Sequence, residues 1–221
     1  MSHKKNVRIF RQNQSMETCV CCCILMVLDY YYKLPGVEKY PTRKMETTLY
    51  QYLGYRILQS ADTSLEKRFT RGTPLSAAAY YLSERGLTVC MYHSEKEYLN
   101  NNLRAEPYYP VEVFPEILEK YKYWINKADE KVIQKTCTEV QGNMLADILE
   151  RGEIVIAACT VDSDEGETLH GILIDSYYQE AGRNIFHVCN PATGKHTITE
   201  EELRIRMNTP VGIHFMTVSL E

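Results

Sequence analysis

The longest apolar run in the chain, Val20 to Leu28, lies inside the stretch Cys-Val-Cys-Cys-Cys-Ile-Leu-Met-Val-Leu-Asp-Tyr-Tyr-Tyr at 19–32. It is too long for a strand and predicts a buried, all-round apolar helix, with Thr18 at the N-cap position and Leu34-Pro35-Gly36 closing it. Residues 7–14 look extended and end in polar Gln12-Asn13-Gln14-Ser15. Residues 38–72 carry mixed helical signals. Thr73-Pro74 then opens a second helix, Leu75 to Arg85, which Gly86 stops before the strand Leu87-Thr-Val-Cys-Met-Tyr92, a helix–Gly–strand unit. Tyr98 to Thr136 is rich in Tyr, Lys, Glu and Asn and carries Pro107, Pro110 and Pro115. It reads as loop plus a helix near Glu116 to Lys127, an insert or flap rather than core.

The last third alternates more regularly. A helix from Gly142 to Glu150 stops at Gly152. Strands follow at Ile154–Val161 and Leu169–Tyr177 around a turn at Asp162–Glu167. A hairpin through Glu180-Ala-Gly-Arg-Asn184 leads into Ile185–Cys189, and further strands fall near 196–198 and 213–218. The expectation is an α+β fold in one domain spanning 1–221, with a helical part at about 15–130 and an antiparallel sheet at about 140–221. The N-terminal helix would be buried against that sheet. No internal repeat or low-complexity tract divides the chain.

Length and composition fit one sizeable core: 221 residues, 44% hydrophobic and 24% charged, ordinary globular values. A net charge of −4 and a pI near 5.9 leave no basic footprint for nucleic acid. The run at 20–28 is about half of what spans a bilayer and lies too deep in the chain for a signal peptide, so the expectation is no membrane insertion and a cytoplasmic location. Eight cysteines could form disulfides, but four of them fall within residues 19–23. Adjacent cysteines do not readily staple one another, so reduced thiols are expected.

One of those thiols has a chemical setting. A thiol is nucleophilic as thiolate, and a helix start favours that charge through unpaired backbone N–H groups and the macrodipole. Cys19 stands at that start. Cys21, Cys22 and Cys23 fall further in and read as small core residues. The thiolate needs a base near neutral pH, in practice an oriented histidine. His170 opens the apolar strand His-Gly-Ile-Leu-Ile-Asp, and Gly171 beside it leaves space for a ligand. Asn190 comes 20 residues later, before Pro191; two strands and a turn bring it level with His170, where it can orient the ring. Gln12, Asn13 and Gln14 offer a side-chain amide that, with the Cys19 N–H, would receive an oxyanion.

The order of a glutamine, Cys19 at a helix start, Met26, Leu28 and the Tyr30-Tyr31-Tyr32 end resembles the opening of the bacteriocin-processing, double-glycine-leader cysteine peptidases, a papain-like branch. Thr73-Pro-Leu-Ser-Ala with Gly86-Leu-Thr-Val, Leu149-Glu-Arg-Gly152-Glu-Ile-Val-Ile, and His170-Gly-Ile-Leu-Ile followed by Asn190-Pro191-Ala-Thr-Gly194 are similar to later segments of that family. The resemblance implies a papain-like fold with Cys19 as nucleophile, His170 as base, Asn190 as orienting residue and Gln14 or Gln12 at the oxyanion. The sequence departs from the family in three places: Val20 where a Gly follows the cysteine, Asn190 where an Asp is usual, and Asn13 where the glutamine lies.

A thiolate acyl-enzyme can be discharged by water or by an amine. Asp162, Asp164, Glu165 and Glu167 would form an acidic lip that attracts a cationic amine. The chain is also similar to a stand-alone, amide-forming branch of the family known from closthioamide biosynthesis. That resemblance implies an acyl chain taken from the phosphopantetheine of a carrier protein and passed to a diamine, with no cofactor of the enzyme's own. The alternatives are a cysteine peptidase acting on a leader or other peptide, and an inactive papain-like binding protein. The cysteine cluster could also be read as a metal site, but three consecutive cysteines on a helix point in three directions. His187 is the rival base, in a strand where it would pack against the sheet.

Overall fold

A computed structural model of the protein describes residues 5–12, 18–34, 43–54, 72–94, 114–163, 166–209 and 212–220. The apolar run becomes helix α1 (Cys19–Tyr32), with Cys19 to Leu28 buried without a break. Burial on every face gives α1 no polar side to set outward. Its Val, Ile, Leu and Met residues each contribute about 1.5–3 kcal/mol to that burial. Helices α2 (Arg43–Leu53) and α3 (Leu75–Ser83) pack on α1, and α4 (Phe114–Asp129) packs on α3.

The strands are β1 (Thr88–His93), β2 (Ile133–Thr136), β3 (Ile154–Ser163), β4 (Gly166–Glu180), β5 (Arg183–Asn190), β6 (Gly194–Thr199) and β7 (His214–Ser219). They form one seven-stranded sheet, ordered β2-β1-β7-β3-β4-β5-β6, antiparallel except for the β1–β2 pair. Helix α5 (Met144–Glu150) packs on β3 and β4, and α6 (Glu200–Met207) on β3, β5 and β6. Side chains alternate across a strand. Ile154 and Ile156 of β3 therefore join the core with α1, α3 and α4, while Val155 and Ala157 join a second core with Leu145 and Ile148 of α5 and Leu203 of α6. Both faces being covered explains why β3 reads as a continuous apolar run. The architecture is α+β, with the N-terminal helix buried against the sheet, as expected. Among the described residues no helix is long and apolar enough to cross a membrane.

Three expectations need correction, and one helix was missed. Helix α4 is not a flap: Trp124 and Ala128 are buried in the α1 core, and the apolar side of an amphipathic helix has found a partner there. The sheet is not confined to the C-terminal part, since β1 and β2 precede residue 140 and extend it. The turn predicted at 162–167 is tighter, because β3 and β4 stay paired out to Ser163 and Gly166. Helix α6 went unpredicted, although Thr199 accepts the Glu202 N–H at 3.2 Å, the first half of a Thr-x-x-Glu capping box. At the other end of β4, Ala181 (φ 49°) and Gly182 (φ 76°) make a two-residue turn of the left-handed kind that hairpins favour.

Candidate active site

The site forms where three pieces of chain end together. The first is the start of α1. Thr18 occupies the N-cap position, but its side chain makes no capping hydrogen bond. Its hydroxyl donates instead to Oε1 of Glu46, a buried carboxylate on α2. The first-turn N–H groups of α1, which have no intrahelical partner, place partial positive charge at the end of the helix where residue 19 stands.

The second piece is β4 at the point where β5 leaves it. Pairing of the two strands ends at Leu173 with Cys189, and β5 turns off through Asn190-Pro191. Two residues beyond that last pair, Gly171 gives its N–H to Cys19 Sγ at 3.2 Å. The cysteine of α1 thus fills the gap that β5 vacates. The third piece is the β5–β6 turn, where Asn190 pairs with Gly194.

Asn190 Oδ1 accepts the N–H of Ala192 at 2.8 Å and of Thr193 at 3.3 Å. Two backbone donors fix which end of the carboxamide is oxygen, and that oxygen lies 2.8 Å from His170 Nε2. An oxygen acceptor there requires Nε2 to carry a proton, so Nδ1 is the ring nitrogen left for Cys19. His170 also acts on the Cys19 thiol, lowering its pKa through hydrogen bonding and charge. Cys19, His170 and Asn190 are 7%, 8% and 7% exposed, so the constellation is shielded from water.

Electrostatics separates Cys19 from its neighbours. Burial alone would raise its pKa, but the hydrogen bond and charge of His170, then the N–H groups of Gly171 and Val20, bring it below the usual thiol value. Cys21, on the far side of the first turn, shares a hydrogen bond with Thr73 Oγ1 at 3.4 Å, and burial pushes it up to about 12. Cys22 is raised by burial and then by the charge of Glu46, whose Oε1 accepts its S–H at 3.7 Å. Cys23 is raised well above its usual value by burial. All eight cysteines are free and buried.

The remaining predicted residues divide. Gln12 donates its backbone N–H to Pro191 O at 3.1 Å, beside Asn190. Its Oε1 is buried without a hydrogen-bond partner, and a half-turn of the carboxamide presents NH2 at the same place. Gln14 and Asn13 lie outside the described residues. So do Asp164 and Glu165 and the side chains of Asp162 and Glu167, although the backbones of the last two are paired across β3 and β4. His187, the rival base, lies against the Tyr178 ring at 5.4 Å between centroids. Among the described residues no group of three or more His, Cys, Asp and Glu is placed to hold a metal ion.

Two features escaped the sequence reading. Gly171 was expected to leave room for a ligand; that room is taken by Val20, whose Cγ2 would lie 2.7 Å from a Cβ at position 171. Glu46 carried no signal, because a lone acidic residue in an amphipathic helix reads as surface.

No protein-family model matches the chain, and no curated protein matches it. What the site can do therefore follows from its atoms. A thiol held by an imidazole and two backbone N–H groups, with the imidazole held by a fixed amide oxygen, is equipped to attack an acyl carbon and return a proton to the leaving group.

Proposed function

We propose that this chain is a papain-like cysteine enzyme that carries an acyl group as a thioester on Cys19 and releases it to an amine. The Cys19–His170–Asn190 constellation is the observation that carries the reading. The Cys19 thiolate attacks an acyl thioester such as that on a carrier protein's phosphopantetheine arm. His170 Nδ1 holds the proton taken from the Cys19 thiol, and as the C–S bond to the arm breaks it gives that proton to the departing thiolate. The amine then attacks the Cys19 thioester, His170 takes the proton that the nitrogen loses, and the Cys19 thiolate leaves as the amide forms. Atoms balance without a further reagent, and no cofactor is required.

The choice of an amine over water draws on the acidic sequence at 162–167 next to His170, which favours a cationic diamine. The N–H of Cys19 and the carboxamide of Gln12 are the donors assigned to the oxyanion. Phosphopantetheine is a thin, extended arm, suited to a nucleophile that is only 7% exposed.

The test is intact mass spectrometry of the protein with an acylated carrier protein, before and after a diamine is added. An acyl adduct in the wild type, none in Cys19→Ala, and an amide released by the diamine is the expected result. Free acid as the only product converts the enzyme to a hydrolase of the same class, and no adduct at all removes the catalytic reading in favour of an inert binding protein.

A further inference from the structure

We propose that Gly171 is itself a catalytic residue, its N–H cradling the Cys19 sulfur, and that Val20 and Gly171 form an interlocked pair that sets how closely α1 approaches β4. This rests on the reading of Cys19 as the nucleophile and extends it to a residue with no side chain.

Three observations converge on the pair. The Gly171 N–H points at Cys19 Sγ from 3.2 Å. A Cβ at 171 would lie 2.7 Å from Val20 Cγ2, 3.3 Å from Val20 N and 3.4 Å from Val20 Cα. The next residue of the helix therefore rests directly on the glycine backbone. The Val20 N–H, like that of Gly171, is among the groups that lower the Cys19 pKa. Its β-branched side chain has one strongly preferred rotamer in a helix, so it cannot swing aside from an added methyl group. Position 20 is 6% exposed, and its neighbour Cys21 is fully buried. A helix packed this tightly moves as a body rather than by side-chain adjustment.

The consequence is a bulk trade between positions 20 and 171. A methyl group on 171 must push the first turn of α1 off the strand, stretching the Gly171 N–H contact and drawing the sulfur away from His170. A smaller residue at 20 removes the 2.7 Å collision and leaves only the two backbone contacts near 3.3 and 3.4 Å, which a shift of a few tenths of an ångström relieves. The pair compensates because each side chain occupies the space the other would need. The glycine after the catalytic histidine is thus required by the bulk of the residue after the cysteine.

The experiment is the pH dependence of Cys19 carboxamidomethylation by iodoacetamide, localised by peptide mass spectrometry. It compares wild type, Val20→Ala, Gly171→Ala and the double variant Val20→Ala/Gly171→Ala. Expected is a rate at pH 7 at least tenfold lower in Gly171→Ala with its labelling profile displaced to higher pH, a smaller loss in Val20→Ala than in Gly171→Ala, and recovery of most of the Gly171→Ala loss in the double variant. If Gly171→Ala does not fold, the double variant should still fold and label close to wild type. Gly171→Ala labelling like wild type, or a double variant as slow as Gly171→Ala or unfolded, overturns the pairing. No acyl substrate enters the assay. A wild-type Cys19 inert at neutral pH therefore sinks the proposed function itself, whereas a reactive wild type with an indifferent Gly171→Ala sinks only this inference.

Discussion

The first turn of α1 and the turn that follows it carry the same functional group in opposite states. Cys19 and Cys23 are one helical turn apart and both buried, yet Cys19 is pulled below the usual thiol pKa and Cys23 is pushed well above it. Desolvation acts on both in the same direction. The difference is what else reaches the sulfur: an imidazole and two backbone N–H groups at Cys19, other thiols at Cys23. Burial in this helix therefore does not by itself set the direction of a thiol's pKa shift; what reaches the sulfur from the sheet does.

Removing the imidazole tests that contrast most severely. His170→Ala should lower the rate of Cys19 acylation roughly 10²–10⁴-fold, the usual contribution of a positioned general base, and should make Cys19 label like Cys21. A circular-dichroism spectrum matching wild type would show that the fold survives. Acylation within a few fold of wild type would mean that another group activates the thiol.

A milder change acts one step further out. Asn190→Ala removes the acceptor for His170 Nε2 and for two backbone N–H groups of the turn. Acylation should fall about 10–100-fold, the rate equivalent of the 1.5–3 kcal/mol typical of a hydrogen bond to a charged partner. Asn190→Asp, which keeps an oxygen in place, should retain more activity than Asn190→Ala; the reverse order would show that the turn, not the ring, is what Asn190 serves.

A further effect lies on the inert side of the comparison. Cys21, Cys159 and Cys189 are each pushed up to about 12 by burial, so they stay neutral in the fold but ionise near the usual thiol value of about 9 when unfolded. The unfolded chain then binds fewer protons, so the contribution of these thiols is fully present below about pH 9. It is lost as pH rises toward 12, by up to roughly 1.4 kcal/mol per pH unit for each thiol. Urea midpoints measured from pH 8 to 10.5 should fall progressively; a flat profile would place these thiols in contact with water.

Much of this was legible in the chain because it rests on local patterns. The apolar run marked α1, and the polar residue before it marked its start at Cys19. Alternation marked β3, β4 and β5, and the 20-residue spacing brought His170 and Asn190 together. Illegible was whatever depends on what a segment packs against. Helix α4 looked polar enough to be a flap until Trp124 met the α1 core. Strand β2 is four residues long with exposed Ile133 and Thr136, too short for a period to register. The role of Gly171 needs two segments about 150 residues apart to touch, and a sequence read alone treats a missing side chain as empty space. Helix α6 is different in kind: its capping signature at Thr199 and Glu202 was present and passed over.

The most direct test of the central claim is the pH profile of iodoacetamide labelling at Cys19 beside that at Cys21, Cys22 and Cys23 in the same native protein. Cys19 should be labelled rapidly at neutral pH with a midpoint below 9 while its three neighbours stay unlabelled. A Cys19 that remains inert until alkaline pH exposes all four together would contradict the account.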